Sequence, residues 1–281
     1  MTEPQSMSRR RIMAAGAAVA AGASLAAAPA PAAASGHDAV RTPEPTIALV
    51  HGAFADGSSW APVVERLQRG GYTVQAVANP LRGLAVDAAY VRSVLASLTG
   101  PVVVAGHSYG GAVVTEAADG LENVKALVYV AAFVPDAGEV LGELAAKYPG
   151  SELQEALSPV PAPAADGTPG LDLYLRTDRF RDVFAADVSR TTAAVLAAAQ
   201  RPLSAGAFTD RTTRAAWRSV PSWNLVATRD RGIPPRLQRF QAERAGSRTV
   251  EVASSHLPLY SRPGDVAALI RTAARTAAPS A

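Results

Sequence analysis

The sequence predicts an α/β domain with a mostly parallel, doubly wound sheet, and three observations carry that prediction. Short apolar, β-branched runs alternate with segments of helical spacing from Thr46 onward, the pattern of strands joined by crossover helices. The chain of 281 residues is 48% hydrophobic and 18% charged, which supplies a packed core and excludes intrinsic disorder. One stretch, about 135–219, breaks the alternation and reads as a helical cap inserted above the sheet, since an irregular span of that length is unusual unless functional.

The elements follow in order. Arg9, Arg10 and Arg11 precede an apolar run from Ile12 to Ala28 and the small-residue stretch Pro29 to Ser35. This is the n-region, h-region and cleavage site of an export signal over residues 1–34, with cleavage expected after Ala34. Ser8-Arg9-Arg10-Arg11-Ile12-Met13 is similar to the twin-arginine export signal, an address read by a receptor. The run is Ala/Gly-rich and too weakly apolar for a stable membrane anchor, so the expected location is the cell envelope or outside the cell. Residues 35–45 are polar and proline-bearing and read as a linker, leaving a domain over 46–281. His37 falls in this linker and is expected to have no role.

Thr46 to Val50 reads as a buried parallel strand ending in His51-Gly52. Ser58-Ser59 is placed to cap the next helix, whose inward stripe is Trp60, Val63, Val64 and Leu67. Tyr72–Ala78 reads as a strand. Val86 to Leu98 reads as a helix with Val86, Tyr90, Val91, Val94, Leu95 and Leu98 on its inner face. Val102–Ala105 is a β-branched strand, 110–119 a helix and Lys125–Val130 a strand. Within the insertion, 138–147, 171–187 and 190–200 read as helical, and Pro159, Pro161, Pro163 and Pro169 mark a loop. Strand 223–228, helix 235–245, strand 248–252 and helix 264–277 complete the series.

Charge and cysteine narrow the chemistry. Lys and Arg number 27 against 24 Asp and Glu, a net charge of +3. Residues 1–34 hold three of the basic residues and one acidic residue, so the remainder carries 24 against 23. No basic block survives, and nucleic acid is not an expected partner. The absence of cysteine removes disulfides, thiol nucleophiles, cysteine-bound zinc and a lipidated N-terminus.

Gly106-His107-Ser108-Tyr109-Gly110 matches G-x-S-x-G and lies between a β-branched strand and a helix start. That is the context of a nucleophile elbow, where a strained turn presents the serine at a helix N-terminus and flanking glycines let strand and helix approach. Serine needs a general base oriented by an acid. Of the four histidines, His37 is in the linker, His51 follows the first strand and His107 is held in the elbow. His256 remains, after the last strand. Asp230, after strand 223–228, completes the order Ser, Asp, His; Asp136 after strand 125–130 is the weaker alternative, better suited to capping. The oxyanion donors expected are the backbone N–H groups of Tyr109 and of Ala53, with Gly52 permitting close approach and His51 bracing the loop.

Together these residues resemble the α/β-hydrolase superfamily, notably small bacterial esterases and the plant methylesterase and hydroxynitrile lyase group. The resemblance rests on Ile47–Phe54, Gly106–Gly111, Phe133-Val134-Pro135-Asp136 and the placement of Asp230 and His256. It implies a serine hydrolase without cofactor or metal, working through an acyl-enzyme, with 135–219 as its cap. Lyase members carry threonine at the position of Gly52 and lysine at that of Leu257, so cyanohydrin chemistry is disfavoured. Phe54, Tyr109, Phe133 and Leu257 flank the motif residues, and Arg229 and Arg231 flank the acid. A small apolar or aromatic carboxylic ester is the substrate expected of that rim. The alternatives are a cofactor-free perhydrolase or haloperoxidase-like activity on the same triad, and a non-catalytic small-ligand binder on a hydrolase scaffold.

Overall fold

The computed structural model describes residues 44–164 and 166–277. The expected export signal and nearly all of the linker lie outside the described residues. Strands β1 (Thr46–Val50), β2 (Val74–Val77), β3 (Val102–His107) and β4 (Val124–Val130) alternate with helices α1 (Ala61–Arg69), α2 (Leu84–Ser97) and α3 (Tyr109–Ala117). The insertion then carries α4 (Leu141–Ala145), α5 (Leu153–Ala156), β5 (Leu157–Pro163), β6 (Pro169–Leu175), α6 (Thr177–Phe184), α7 (Arg190–Ala199) and β7 (Leu203–Ser204). Alternation resumes with β8 (Ser222–Ala227), α8 (Pro235–Arg244), β9 (Arg248–Val252), α9 (Pro258–Ser261) and α10 (Pro263–Ala277). Among the described residues no helix is long and apolar enough to cross a membrane.

Six strands form one parallel sheet in the order β2-β1-β3-β4-β8-β9. The central strands β3 and β8 are buried throughout, whereas the edge strands β2 and β9 are largely exposed. A strand covered on both faces must be apolar at every position, which is why Val102–Ala105 shows no alternation. The chain leaves β1 toward β2 and returns past it to β3. Right-handed crossovers therefore put α1 on one face and α2 and α3 on the other. The reversal between β1 and β3 opens the crevice in which such sheets bind ligands, outside the carboxyl ends of the strands. The loops after β1, β3, β8 and β9 all emerge along that edge.

The helix faces differ in part from their sequence expectation. Trp60, Val63 and Leu67 are fully buried, but Asp56 rather than Ser58 or Ser59 caps this end, its side chain accepting from the Ser58 N–H at 2.7 Å. On α2, Val86 and Tyr90 are exposed, and the inner face is Leu84, Asp87, Ala88, Val91 and Leu95. The helix is rotated from the expected stripe because Asp87 is drawn inward as an acceptor, from the Arg82 N–H at 2.9 Å and the Tyr109 hydroxyl at 2.7 Å.

The insertion differs more. Its proline-rich part is a β-hairpin, β5 and β6, extended by β7 into a small antiparallel sheet, and residues 171–175 are strand rather than helix. Pro159, Pro161 and Pro163 share one parity on β5. In an antiparallel ladder alternate residues turn their N–H away from the partner, and β5 is an edge strand. The missing donors therefore fall where no ladder bond is needed.

Candidate active site

Ser108 follows β3 directly and has φ 54° and ψ −126°. This left-handed geometry costs about 1–3 kcal/mol for a non-glycine residue. It is held on three sides: the Ser108 N–H donates to Val130 O at 3.2 Å, and Ser108 O accepts from the N–H groups of Gly111 at 3.0 Å and Phe133 at 3.1 Å. The turn closes only with glycine at 106, where a Cβ would stand 2.6 Å from Gly110 O.

His256, on the loop after β9, brings Nε2 to 2.8 Å from Ser108 Oγ. Its Nδ1 lies 2.7 Å from Asp230 Oδ2. Asp230 Oδ1 accepts from the N–H groups of Gly232 at 2.7 Å and Ile233 at 2.9 Å. Gln238 donates to Oδ2 at 2.8 Å. Every neighbour of this buried carboxylate is thus a donor, so its acceptor capacity is directed and the histidine proton has one place to go, Nδ1. Gln238 is itself fixed, because its Oε1 accepts from the Ala227 N–H at 3.0 Å. Sequence reasoning missed Gln238: a glutamine on a mostly polar helix carries no signal that it faces inward.

Asp136 stands apart, paired with Arg218 at 2.6 Å on the surface and accepting from the Ala137 N–H. Arg231 pairs with Glu152 of the insertion at 3.5 Å.

The loop after β1 reaches the serine from the other side. A Cβ on Gly52 would lie 2.7 Å from Ser108 Cβ and 3.3 Å from Ser108 Oγ, so only glycine lets this backbone pass. Phe54 follows with φ 59°, turning the chain sharply beside Ala53. Among the described residues, neither the Ala53 nor the Tyr109 N–H has a hydrogen-bond partner. Tyr109 opens α3, where the first N–H groups of a helix are free of intrahelical bonds. Its ring leaves the expected rim: it is buried, with the hydroxyl on Asp87. Burial raises the Asp87 carboxyl above its ordinary range.

A cavity of about 30 Å³ lies over this loop, lined by Phe54, Phe180, Phe184, Leu196 and Leu257, with Asp56, Ser58 and Ser59 as its polar part. Phe54 and Leu257, two of the residues expected at the rim, line this cavity and are almost fully buried. Phe133 is not among the lining residues; it is buried in the core, with its N–H on Ser108 O. Among the described residues, no three His, Asp or Glu side chains are grouped to hold a metal ion.

Two further histidines brace the site. His51 Nε2 accepts the Asn79 N–H at 3.0 Å, so the ring proton sits on Nδ1 and is donated to Gly52 O at 2.9 Å. His107 donates from Nε2 to His256 O at 2.8 Å. Burial lowers His51 to about 4 and His107 to about 3, from the usual 6.5. In the unfolded chain both take a proton near 6.5, whereas the folded chain refuses it until much lower pH. Their contribution is therefore complete above about pH 6.5 and is lost as the pH falls toward 4, at about 1.4 kcal/mol per pH unit for each ring. Urea unfolding should show stability falling by about 4 kcal/mol between pH 7 and pH 5. A stability flat across that range would contradict the buried neutral state of both rings.

A parallel sheet that gathers a serine in a left-handed turn, a histidine and an aspartate at its carboxyl edge is the architecture of the α/β hydrolases. Residues 47–269 match the model of the alpha/beta hydrolase family, and the chain belongs to that family. It is 28% identical over 255 residues to the alpha/beta hydrolase nvfD of Aspergillus novofumigatus, covering 82% of this chain and 97% of that protein. Among solved structures it is similar to polyneuridine aldehyde esterase, at 20% identity and TM-score 0.71, covering 82% of this chain and 99% of that one. It is also similar to a pyrethroid hydrolase of Sphingobium faniae JZ-2, at 22% identity and TM-score 0.67, covering 82% and 97%.

Proposed function

We propose that this protein is an exported serine hydrolase that cleaves a small, apolar or aromatic carboxylic ester through an acyl-enzyme. The observation that carries the reading is the unbroken chain from Ser108 Oγ through His256 to Asp230, at 2.8 and 2.7 Å. Ser108 Oγ attacks the ester carbonyl carbon while His256 Nε2 takes its proton, and Asp230 holds the resulting imidazolium. The carbonyl oxygen, now an oxyanion, accepts from the Ala53 and Tyr109 N–H groups. Collapse expels the alcohol, which leaves with the proton from His256. Water then attacks the acyl-serine, gives its proton to His256 and releases the carboxylic acid, restoring Ser108.

The substrate class is supported by the apolar side chains beside the catalytic histidine, Phe184 with its ring 4.8 Å from that of His256 and Phe54 packed edge-on against Phe184, and the names of the similar structures are consistent with ester hydrolysis. Export is supported by the arginines and apolar run of residues 9–28; N-terminal sequencing of protein recovered outside the cytoplasm should begin at Ser35. The activity is tested with a panel of p-nitrophenyl and aryl esters graded by acyl length and aromaticity. Short and aromatic acyl esters are expected to turn over fastest. Wild-type protein that hydrolyses none of them, while binding a small ligand tightly, would overturn the reading.

A further inference from the structure

The loop that carries His256 is gripped from two sides; on the core side the Arg229 N–H donates to Ser254 O at 3.0 Å and Asp230 meets the His256 ring at 2.7 Å. His107 holds the His256 carbonyl at 2.8 Å. The other grip comes from the cap: Asp187, on the turn after α6, accepts the Ser255 N–H through Oδ2 at 2.9 Å and the Ser255 hydroxyl through Oδ1. Ser255 immediately precedes His256 and is almost fully buried. The same cap segment lays Phe184 against the histidine, the two rings 4.8 Å apart between centroids. Residues 184–187 therefore cover the His256 ring and fasten its backbone in a single step of the chain.

We propose that Asp187 is a positioning residue through which the cap sets His256 for proton transfer, an inference that rests on the serine-hydrolase reading. Asp187 touches neither Ser108 nor a substrate. It acts through Ser255: two bonds to one residue fix both the peptide plane and the side chain before His256, and hence the direction of the imidazole. Proton transfer demands Nε2 within hydrogen-bond reach of Ser108 Oγ, and a displacement of about 1 Å costs on the order of a hundredfold. When the cap turn is in place the histidine is aimed; without Asp187 the bonds from Asp230, from His107 and from the Arg229 N–H to Ser254 O remain, but the peptide that leads into the ring loses its anchor on the cap.

The test compares wild type, Asp187→Ala, Asp187→Asn and Asp178→Ala in p-nitrophenyl acetate hydrolysis, with hydrogen exchange of the 253–257 loop measured alongside. Asp178 is the control, an exposed partner of Arg176 on the same cap helix. Asp187→Ala should lower kcat about tenfold to a hundredfold with KM nearly unchanged, and should speed exchange at the Ser255 amide. Asp187→Asn should recover most of kcat, because its carbonyl still accepts the Ser255 N–H while its amide donates to a reversed Ser255 hydroxyl. Asp178→Ala should match wild type in both readouts. An active wild type with kcat unchanged in Asp187→Ala, or with KM alone raised, overturns the inference and leaves the hydrolase reading intact. An inactive wild type overturns that reading and the inference with it.

Discussion

Replacing Ser108 with alanine is expected to lower kcat/KM for p-nitrophenyl acetate by about 10⁵-fold while leaving the fold intact. The hydroxyl is the only group removed. The backbone bonds that hold the turn come from Ser108 N and O, to Val130, Gly111 and Phe133, and alanine keeps all three. Alanine also bears the same positive φ at the same steric cost as serine, so unfolding should move by less than about 1 kcal/mol. No neighbouring hydroxyl can substitute. Ser255 Oγ is engaged by Asp187, and Ser254 Oγ is shared with Ser261 at 2.7 Å. The free Ala53 and Tyr109 amides remain, and account for whatever rate survives. Steady-state kinetics with circular dichroism of the variant checks both halves.

Asp230→Asn should cost about 10⁴-fold in kcat with KM little changed. The direction follows from the donors around the carboxylate. Oδ1 faces two backbone N–H groups, from Gly232 and Ile233, which cannot turn away. Oδ2 faces Gln238 and His256, and of these the imidazole can change its tautomer. An asparagine will therefore put its oxygen on the two backbone donors and its NH₂ toward His256. The ring then accepts at Nδ1 and carries its proton on Nε2, where it can no longer receive one from Ser108. The loss falls on proton transfer rather than on binding, which the separation of kcat from KM reports. A variant with wild-type kcat would show that Asp230 does not orient the histidine.

The parts of this molecule that could be read from sequence are those in which one physical demand dominates. β3 has to be apolar at every position because helices cover both its faces, so its run of valines announces it. Gly106 and Gly110 surround Ser108 because a Cβ at 106 would strike Gly110 O at 2.6 Å, and that demand is written as a motif. His256 and Asp230 followed from the strand ends they occupy. Elsewhere two demands compete. The prolines of β5 signal a loop locally, and only their shared parity against β6 admits them to a strand. α2 looks as if it should bury Val86 and Tyr90, but the hydrogen bond from Tyr109 to Asp87 turns a different face inward. Gln238 and Asp187 gain their places from partners far along the chain, Asp230 and Ser255, and neither residue type in its local setting carries that information.

The most direct test of the central claim is covalent: wild-type protein is treated with a fluorophosphonate and its peptides are mapped by mass spectrometry. A single adduct on Ser108, absent after Ser108→Ala and formed far more slowly in Asp230→Asn, is the result this account predicts. An adduct on any other residue, or ester turnover undiminished in Ser108→Ala, would contradict it.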